Sequence, residues 1–347
     1  HLDLVAVGTI ADSVPLLGEN RILVKYGLDK LSSSHKRGLQ MLLEYHNNND
    51  FSNSVLARDI SFGLIPVLNS TGRIDNPQQA VDLLLTDSSY RAQHLINKML
   101  KLNERRKALT LKVLEEAREI ANKKILLEEQ KILVLSSRKW HPGLVGIVAS
   151  RLMEEFSQPV MMISINKGIG KGSGRNQGEF DFSKILSECS ELLNQYGGHQ
   201  YAAGITISEE KIDLFGEQIN RILKTNPLIN QFGQSVIKID SLIDFNEINW
   251  NLLNFLDKMK PFGPGNTEPV FGGYKFPLFS WKRVGKDEKH LKLVLGKSGN
   301  CIDGIAFQMA EKILDIKKDR TIDVAFQLSK NYWKGKNSLQ LMVKDIK

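Results

Sequence analysis

Residues 131–165, KILVLSSRKWHPGLVGIVASRLMEEFSQPVMMISI, run from an apolar stretch through a polar loop into a helical pattern and a second apolar stretch. Strand, helix, strand in that order is the repeating unit of an α/β domain. Pro142 suits a first helical turn, and the unsatisfied N–H groups of such a turn favour an anion beside His141. The next residues, 167–180 (KGIGKGSGRNQGEF), read as a glycine-rich loop. FSKILSECSELLNQY (182–196) reads as a helix, and GGHQYAAGITI (197–207) as a loop entering a strand. The domain ends near residue 228.

Upstream, neither glycine nor proline occurs between Pro77 and Pro142. Leu95, Met99, Leu102, Leu109, Val113, Ala117 and Ile120 recur at three- and four-residue steps, with Arg106 in the one missing slot. That predicts a helix from residue 89 to about 129, roughly 60 Å long, of the kind that connects two domains. Before it, Leu4–Val7 reads as a buried strand with Asp12 just beyond, and LNSTGRIDNP (68–77) as a loop before an apolar helix. Downstream of 228, HLKLVLG, CIDGIAF, TIDVAFQLS and SLQLMVKDI are short strands separated by turn residues, the pattern of a small barrel.

The 347 residues are 41% hydrophobic and 25% charged, which fits a globular chain of two or three domains. No apolar run reaches the roughly 18 residues of a membrane span, and no secretory leader opens the sequence. Two cysteines, Cys189 and Cys301, form neither a disulfide framework nor a zinc-ligand spacing, which points to a reducing cytoplasm. The net charge of +8 is uneven. Residues 89–140 carry 13 basic and 6 acidic side chains and residues 229–347 carry 19 and 13, whereas 1–88 (7 and 10) and 141–228 (8 and 10) are net acidic. Such segregation favours a polyanionic partner, although a solvated lysine-rich surface gives the same count.

Several residues are candidates for chemistry, each with a plainer alternative. The glycines of KGIGKGSGR can form an anion-binding nest with Lys171, Ser173 and Arg175, or simply a hairpin tip. The loop matches neither a Walker motif nor a dinucleotide fingerprint. His199, after two glycines, can donate to a phosphate oxygen or lie idle at the surface. Arg73 follows a glycine, as phosphate-binding and ordinary turn arginines both do. Asp12 is either a metal ligand or a cap, and the seven histidines show no metal-ligand spacing. No G-x-S-x-G occurs. Trp281 with Lys282 and Arg283, and NYWKGKN (331–337) further on, interleave aromatic rings and cations. That suits stacking on a single strand, or else the rings fill the barrel core.

Taken in order, DLVAVGTIADSVPLLGENRILVKYGL (3–28), LNSTGR (68–73), WHPGLVGIVASRL (140–152), GKGSGR (170–175), GGHQYAAG (197–204) and PFGPGNTEPVF (261–271) resemble the RecJ family. These are bacterial single-strand-specific 5′→3′ exonucleases of the DHH phosphoesterase superfamily. The resemblance implies an α/β fold: the end of a DHH parallel-sheet domain (1–88), a connecting helix (89–131), a DHHA1 domain (132–228) and an OB-like barrel (229–347). It implies hydrolysis of single-stranded DNA to 5′-mononucleotides by two metals, Mn²⁺ or Mg²⁺, in DNA repair and recombination. Asp12 would be a metal ligand, and the remaining ligands belong to motifs upstream in the family, so the chain is expected to be a C-terminal portion, inactive alone. His199 and Arg175 would grip the reacting phosphate, with Lys171 and Ser173 beside them, and Arg73 would bind the strand near its 5′ end. Expected partners are single-stranded DNA and a single-strand-binding protein or helicase, with no membrane, on a monomer. The alternatives are a non-catalytic strand-binding scaffold and a DHH–DHHA1 oligonucleotide phosphodiesterase. Residues 1–88, as half a parallel sheet, are expected to fold poorly.

Overall fold

The computed structural model describes residues 1–46, 55–127, 130–178, 180–225, 236–315, 321–333 and 335–347. The chain divides into two compact units. The first comprises the described residues of His1–Ser32, Ser54–Ile60 and Val236–Lys347, the second those of Ser33–Asn53 and Ser61–Ser235.

In the first unit, helices α1 (Leu2–Ala11) and α2 (Gly18–Leu31) pack through Ala6, Val7, Ile10, Val24 and Leu28. They approach so closely that a Cβ on Gly27 would stand 2.4 Å from the Leu2 carbonyl oxygen. A short helix, α4 (Ala57–Asp59), also belongs here. Helix α11 (Trp250–Met259), capped by the Asn249 side chain on the Leu252 amide, leads into the sheet. Strands β7 (Phe271–Val284), β8 (His290–Lys297), β9 (Asn300–Ala306), β10 (Thr321–Trp333) and β11 (Lys336–Ile346) follow, with a two-residue strand β6 (Ser241–Leu242) beside β7. The ladders β7–β8, β8–β9, β9–β11, β11–β10 and β10–β7 close these five strands into a ring. Alternation explains the closure: Leu291, Leu293 and Leu295 of β8 point into a core with Phe276, Phe326 and Leu341. The expected OB-like arrangement is present.

The second unit begins with helices α3 (Arg37–His46), α5 (Ile65–Ile74) and α6 (Gln78–Leu85), a π-helical turn (Ile60–Leu64) preceding α5. The 39-residue helix α7 (Ser89–Leu127) buries Leu95, Met99, Val113 and Ala117, as the stripe predicts. A five-stranded sheet follows in the order β1 (Leu133–Ser137), β2 (Val160–Asn166), β3 (Ile169–Arg175), β5 (Ala202–Ser208), β4 (Leu193–His199). Its β1–β2 ladder is parallel and the rest are antiparallel. One face packs on α9 (Phe182–Ser187) and α10 (Ile212–Thr225) through Met161, Ile163, Ile205, Ile207, Phe182 and Phe215. The other face packs Leu133, Leu135, Val160 and Met162 against α7 and α8 (Pro142–Phe156).

Four local expectations are corrected. Leu4–Val7 lies inside α1 and not in a strand, and among the described residues of 1–88 there is no strand. A four-residue apolar run fits either element, and packing against α2 decides for helix. The parallel-sheet remnant expected there, and with it the ground for poor folding, is absent among these residues. LNSTGR belongs to α5, where the Ser70 and Thr71 hydroxyls donate back to the Val67 and Leu68 carbonyls and so need no loop. The glycine-rich stretch is strand β3, hydrogen-bonded on both edges. Residues 182–196 hold only the short α9 and a 3₁₀ turn (Ser190–Leu192) before entering β4.

Cys189 lies fully buried among these apolar side chains, and burial pushes its thiol up to about 11, whereas Cys301 is exposed. The thiolate is the reactive form. Ellman's reagent is therefore expected to titrate one thiol in the native protein and a second only in denaturant. Rapid reaction of both thiols in buffer would contradict this packing.

Candidate nucleic-acid interface

The alternation of β3 sorts its motif into two faces. Gly170, Gly172 and Gly174 face the apolar layer, where a Cβ would collide with Ile163, Ile205 or Phe182. These glycines are therefore packing residues and not a nest. Lys171, Ser173 and Arg175 take the opposite face, toward α8. There Arg175 Nη1 donates to Ser173 Oγ at 2.8 Å and to the Gly174 carbonyl at 2.6 Å.

Helix α8 reaches this face through two glycines one turn apart. A Cβ on Gly146 would lie 2.9 Å from Arg175 Nη2 and 3.0 Å from Ser173 Oγ. A Cβ on Gly143 would lie 2.1 Å from the Arg73 carbonyl oxygen. Arg73, in the last turn of α5, donates from Nη1 to the Gly143 carbonyl at 3.3 Å. Arg73 and Arg175 are both half-buried. Burial lowers each guanidinium's pKa, and for Arg175 the proximity of Arg73 lowers it further. Both remain cations near neutrality. Among the described residues neither is ion-paired with a carboxylate.

The two histidines share one device. His141 caps α8 by accepting the Gly143 amide at Nδ1 (3.1 Å), and His199 accepts the Tyr201 amide at Nδ1 (3.3 Å). In each, the neutral ring then carries its proton on Nε2, which remains available as a donor. His199 and Arg175 are both paired with Ala202, one from each side of β5, so they occupy one row and one face, with α-carbons about 10 Å apart. Gly197 and Gly204, in the neighbouring row, have open space where a side chain would stand. The result is an exposed shelf edged by Lys171, Ser173 and Arg175 on one side and His199 on the other.

Four sequence candidates belong to the other unit. Asp12 is exposed and forms the C-cap of α1. Among the described residues no three His, Cys, Asp or Glu side chains gather closely enough to hold a metal ion. Asp12 thus has, among the described residues, no companions of the kind a two-metal site needs. Trp281, Lys282 and Arg283 lie on β7. Trp281 is 49% exposed and Tyr332 is 55% exposed, so these rings do not fill the barrel core. Arg283 lies 3.6 Å from Glu311, while Lys282 has no ion pair among the described residues. Lys334 lies outside the described residues.

Sequence reading missed Arg106 and Arg151, whose guanidiniums lie close enough to depress the Arg106 pKa after burial and Arg73 have done so. The signal for Arg106 was its place in an apolar stripe. Gly143 and Gly146 were also missed, their signal being a three-residue spacing within a helical pattern.

Comparison with known proteins gives a consistent result. The DHHA1 domain matches residues 129–225 and the RecJ OB domain matches residues 239–345. The single-stranded-DNA-specific exonuclease RecJ of Bacillus subtilis is 32% identical over 99% of this chain and 43% of its own length. That of Escherichia coli is 33% identical over 99% of this chain and 60% of its own length. The crystal structure of RecJ in complex with Mn²⁺ from Thermus thermophilus superposes with a TM-score of 0.84 at 30% identity, covering all of this chain and 49% of that one. The chain spans about half the length of the relatives it matches.

The close approach at Gly146 yields a paired prediction. Gly146→Ala is expected to leave the folded protein as stable or up to about 1 kcal/mol more stable, since alanine favours helix. It should nevertheless weaken single-strand binding several-fold by displacing Arg175. Gly143→Ala meets backbone and should lower the thermal midpoint. Urea unfolding and fluorescence anisotropy check both, and unchanged binding in Gly146→Ala would contradict the geometry.

Proposed function

We propose that this homologue of the RecJ exonucleases is the strand-gripping portion of a single-stranded-DNA-specific 5′→3′ exonuclease, releasing 5′-mononucleotides in DNA repair and recombination. The observation that carries the reading is Arg175. It is half-buried, fixed by a neutral hydroxyl and a carbonyl, and lies near the Arg73 guanidinium, neither having a carboxylate partner among the described residues, at the edge of an open glycine-floored shelf. A buried cation without a counter-charge is costly unless an anion completes it. The planar fork of arginine suits a phosphate, which it binds through two parallel hydrogen bonds.

In this reading Arg175 and Ser173 hold one phosphate, with Lys171 adding charge from the same strand. His199 and His141 offer Nε2–H donors to neighbouring oxygens, and Arg73 holds the strand nearer its 5′ end. Phosphate contacts of this kind position a strand without reading its bases. Exposed Trp281 and Tyr332 offer stacking faces to bases, with Lys282 nearby for the backbone. A metal, Mn²⁺ or Mg²⁺, is the proposed cofactor and would supply an activated water and charge neutralisation. The described residues do not fit a metal site, Asp12 having no companions among them.

The test is binding of a 3′-labelled oligothymidylate in EDTA across a salt series, then incubation with Mn²⁺. Binding is expected to fall linearly on logarithmic axes as salt rises. Arg175→Ala should weaken it by about tenfold or more, the ~1.5–3 kcal/mol of a hydrogen bond to a charged group. This chain on its own is expected to bind without cleaving. Equal affinity of wild type and Arg175→Ala would overturn the reading. Cleavage abolished by Asp12→Ala would reveal a metal site that these residues do not show.

A further inference from the structure

Arg106 interrupts the apolar stripe of α7 and yet stays half-buried. Its Nε and Nη2 both donate to Asn103 Oδ1, at 3.1 and 3.0 Å, and Asn103 is only 5% exposed. The same helix shows a conventional arginine for contrast. Arg118 forks onto Glu155, with Nη2 at 2.8 Å from Oε2. That hydrogen bond raises the Arg118 pKa, whereas burial, then Arg73, then Arg151 lower that of Arg106, with Glu104 partly opposing. Glu104 itself is paired with Lys107 at 2.8 Å. Asn103 therefore fixes the orientation of a guanidinium without cancelling its charge.

The surrounding helices bring this group to the strand-binding face. Ser70 Oγ meets the Met99 carbonyl at 3.4 Å, which seats α5 on α7 one turn before Asn103. Ile74 of α5 and Leu109 of α7 both pack on the core shared with α8. Arg73, next to Ile74, meets Gly143 of α8 with both its backbone and its guanidinium, and it is near enough to both Arg106 and Arg175 to lower the pKa of each. Arg151 lies on α8 beyond Gly146 and, like Arg106, has no ion pair with a carboxylate among the described residues.

We propose that Arg106, with Arg151 beside it, forms a second phosphate site, taking the phosphodiester adjacent along the strand to the phosphate held by Arg175 and Ser173. Arg106 binds the strand directly, Asn103 is the positioning residue that aims it, and together they set the register of the strand. The inference deepens the single-strand reading above and rests on it.

The test is a chemical cycle on the full chain in EDTA. The probes are 5′-phosphorylated hexathymidylates, one unmodified and three with a neutral methylphosphonate at the first, second or third linkage, followed by anisotropy. In wild type, one neutral linkage is expected to weaken binding by about tenfold, the cost of one good charged contact. In Arg106→Gln that same replacement should cost less than about twofold, while Arg106→Lys retains part of the penalty. Identical penalties at all three linkages in wild type and Arg106→Gln would overturn the proposal. Should Arg106→Gln fail to fold, Arg151→Gln, at an exposed helix position, takes its place under the same criterion. Arg175→Ala separates the two readings. Undiminished binding there sinks the single-strand reading itself, whereas a loss there with no linkage-specific effect at Arg106 sinks only the second site.

Discussion

Two glycines at the start of α8 set how closely three chain segments meet. Gly143 admits the backbone of α5 at Arg73, and Gly146 admits the side chains of Arg175 and Ser173 from β3. A larger residue at Gly143 would hold α5 away from α8, and one at Gly146 would push the Arg175 guanidinium aside. Each glycine costs the helix up to about 1 kcal/mol relative to alanine, so the arrangement favours proximity over local helix stability. That proximity puts like charges side by side, and the chemistry of the site follows from it.

Guanidinium groups that crowd one another without carboxylates weaken the folded state unless something compensates. Among the described residues the compensation is partial and neutral. Ser173 Oγ, the Gly174 and Gly143 carbonyls and Asn103 Oδ1 each accept an arginine N–H and leave the positive charge intact. The donors are oriented in advance, so a phosphate arriving at the shelf meets hydrogen bonds that need little rearrangement. The apolar layer behind β3, with Phe182, Phe215, Ile163 and Ile205 buried, holds the strand rigid enough to keep that orientation. Glycines in β3 let this layer close against the strand, while the alternate residues carry the charge.

The parts of the fold set by long-range periodicity were legible in the sequence, and those set by contacts between elements were not. The stripe from Leu95 to Ile120 marked α7 because seven apolar residues kept one helical face. The alternation in HLKLVLG marked β8 for the same reason. Leu4–Val7 was misread because four apolar residues carry no period, and only α2 packing on them reveals a helix. KGIGKGSGR was misread because glycine usually signals a loop, whereas here it signals a crowded strand face. Arg73, Lys171, Ser173, Arg175, His141 and His199 were visible as residue types, and the second unit does gather them. Arg106 was visible only as the polar residue in an apolar stripe, and Arg151 not at all, since nothing local shows that an arginine is aimed by an asparagine rather than covering a helix.

Under the proposed function, each unit by itself would meet a different requirement of sequence-independent strand binding. Phosphate contacts give register but carry no base information, and the second unit carries the candidates for them: the Arg175 fork, Arg73, and two histidine Nε2–H donors. Aromatic faces accept any base by stacking, and the first unit offers those, with Trp281 and Tyr332 exposed on a ring whose own core is already filled by Phe276, Phe326 and the β8 leucines. Neither set needs a base-specific hydrogen bond. A duplex keeps its bases stacked inside and offers no face to such rings, so aromatic contacts of this kind favour a single strand over a paired one. Under the proposed function, a preference for single strands would then need no element that recognises sequence.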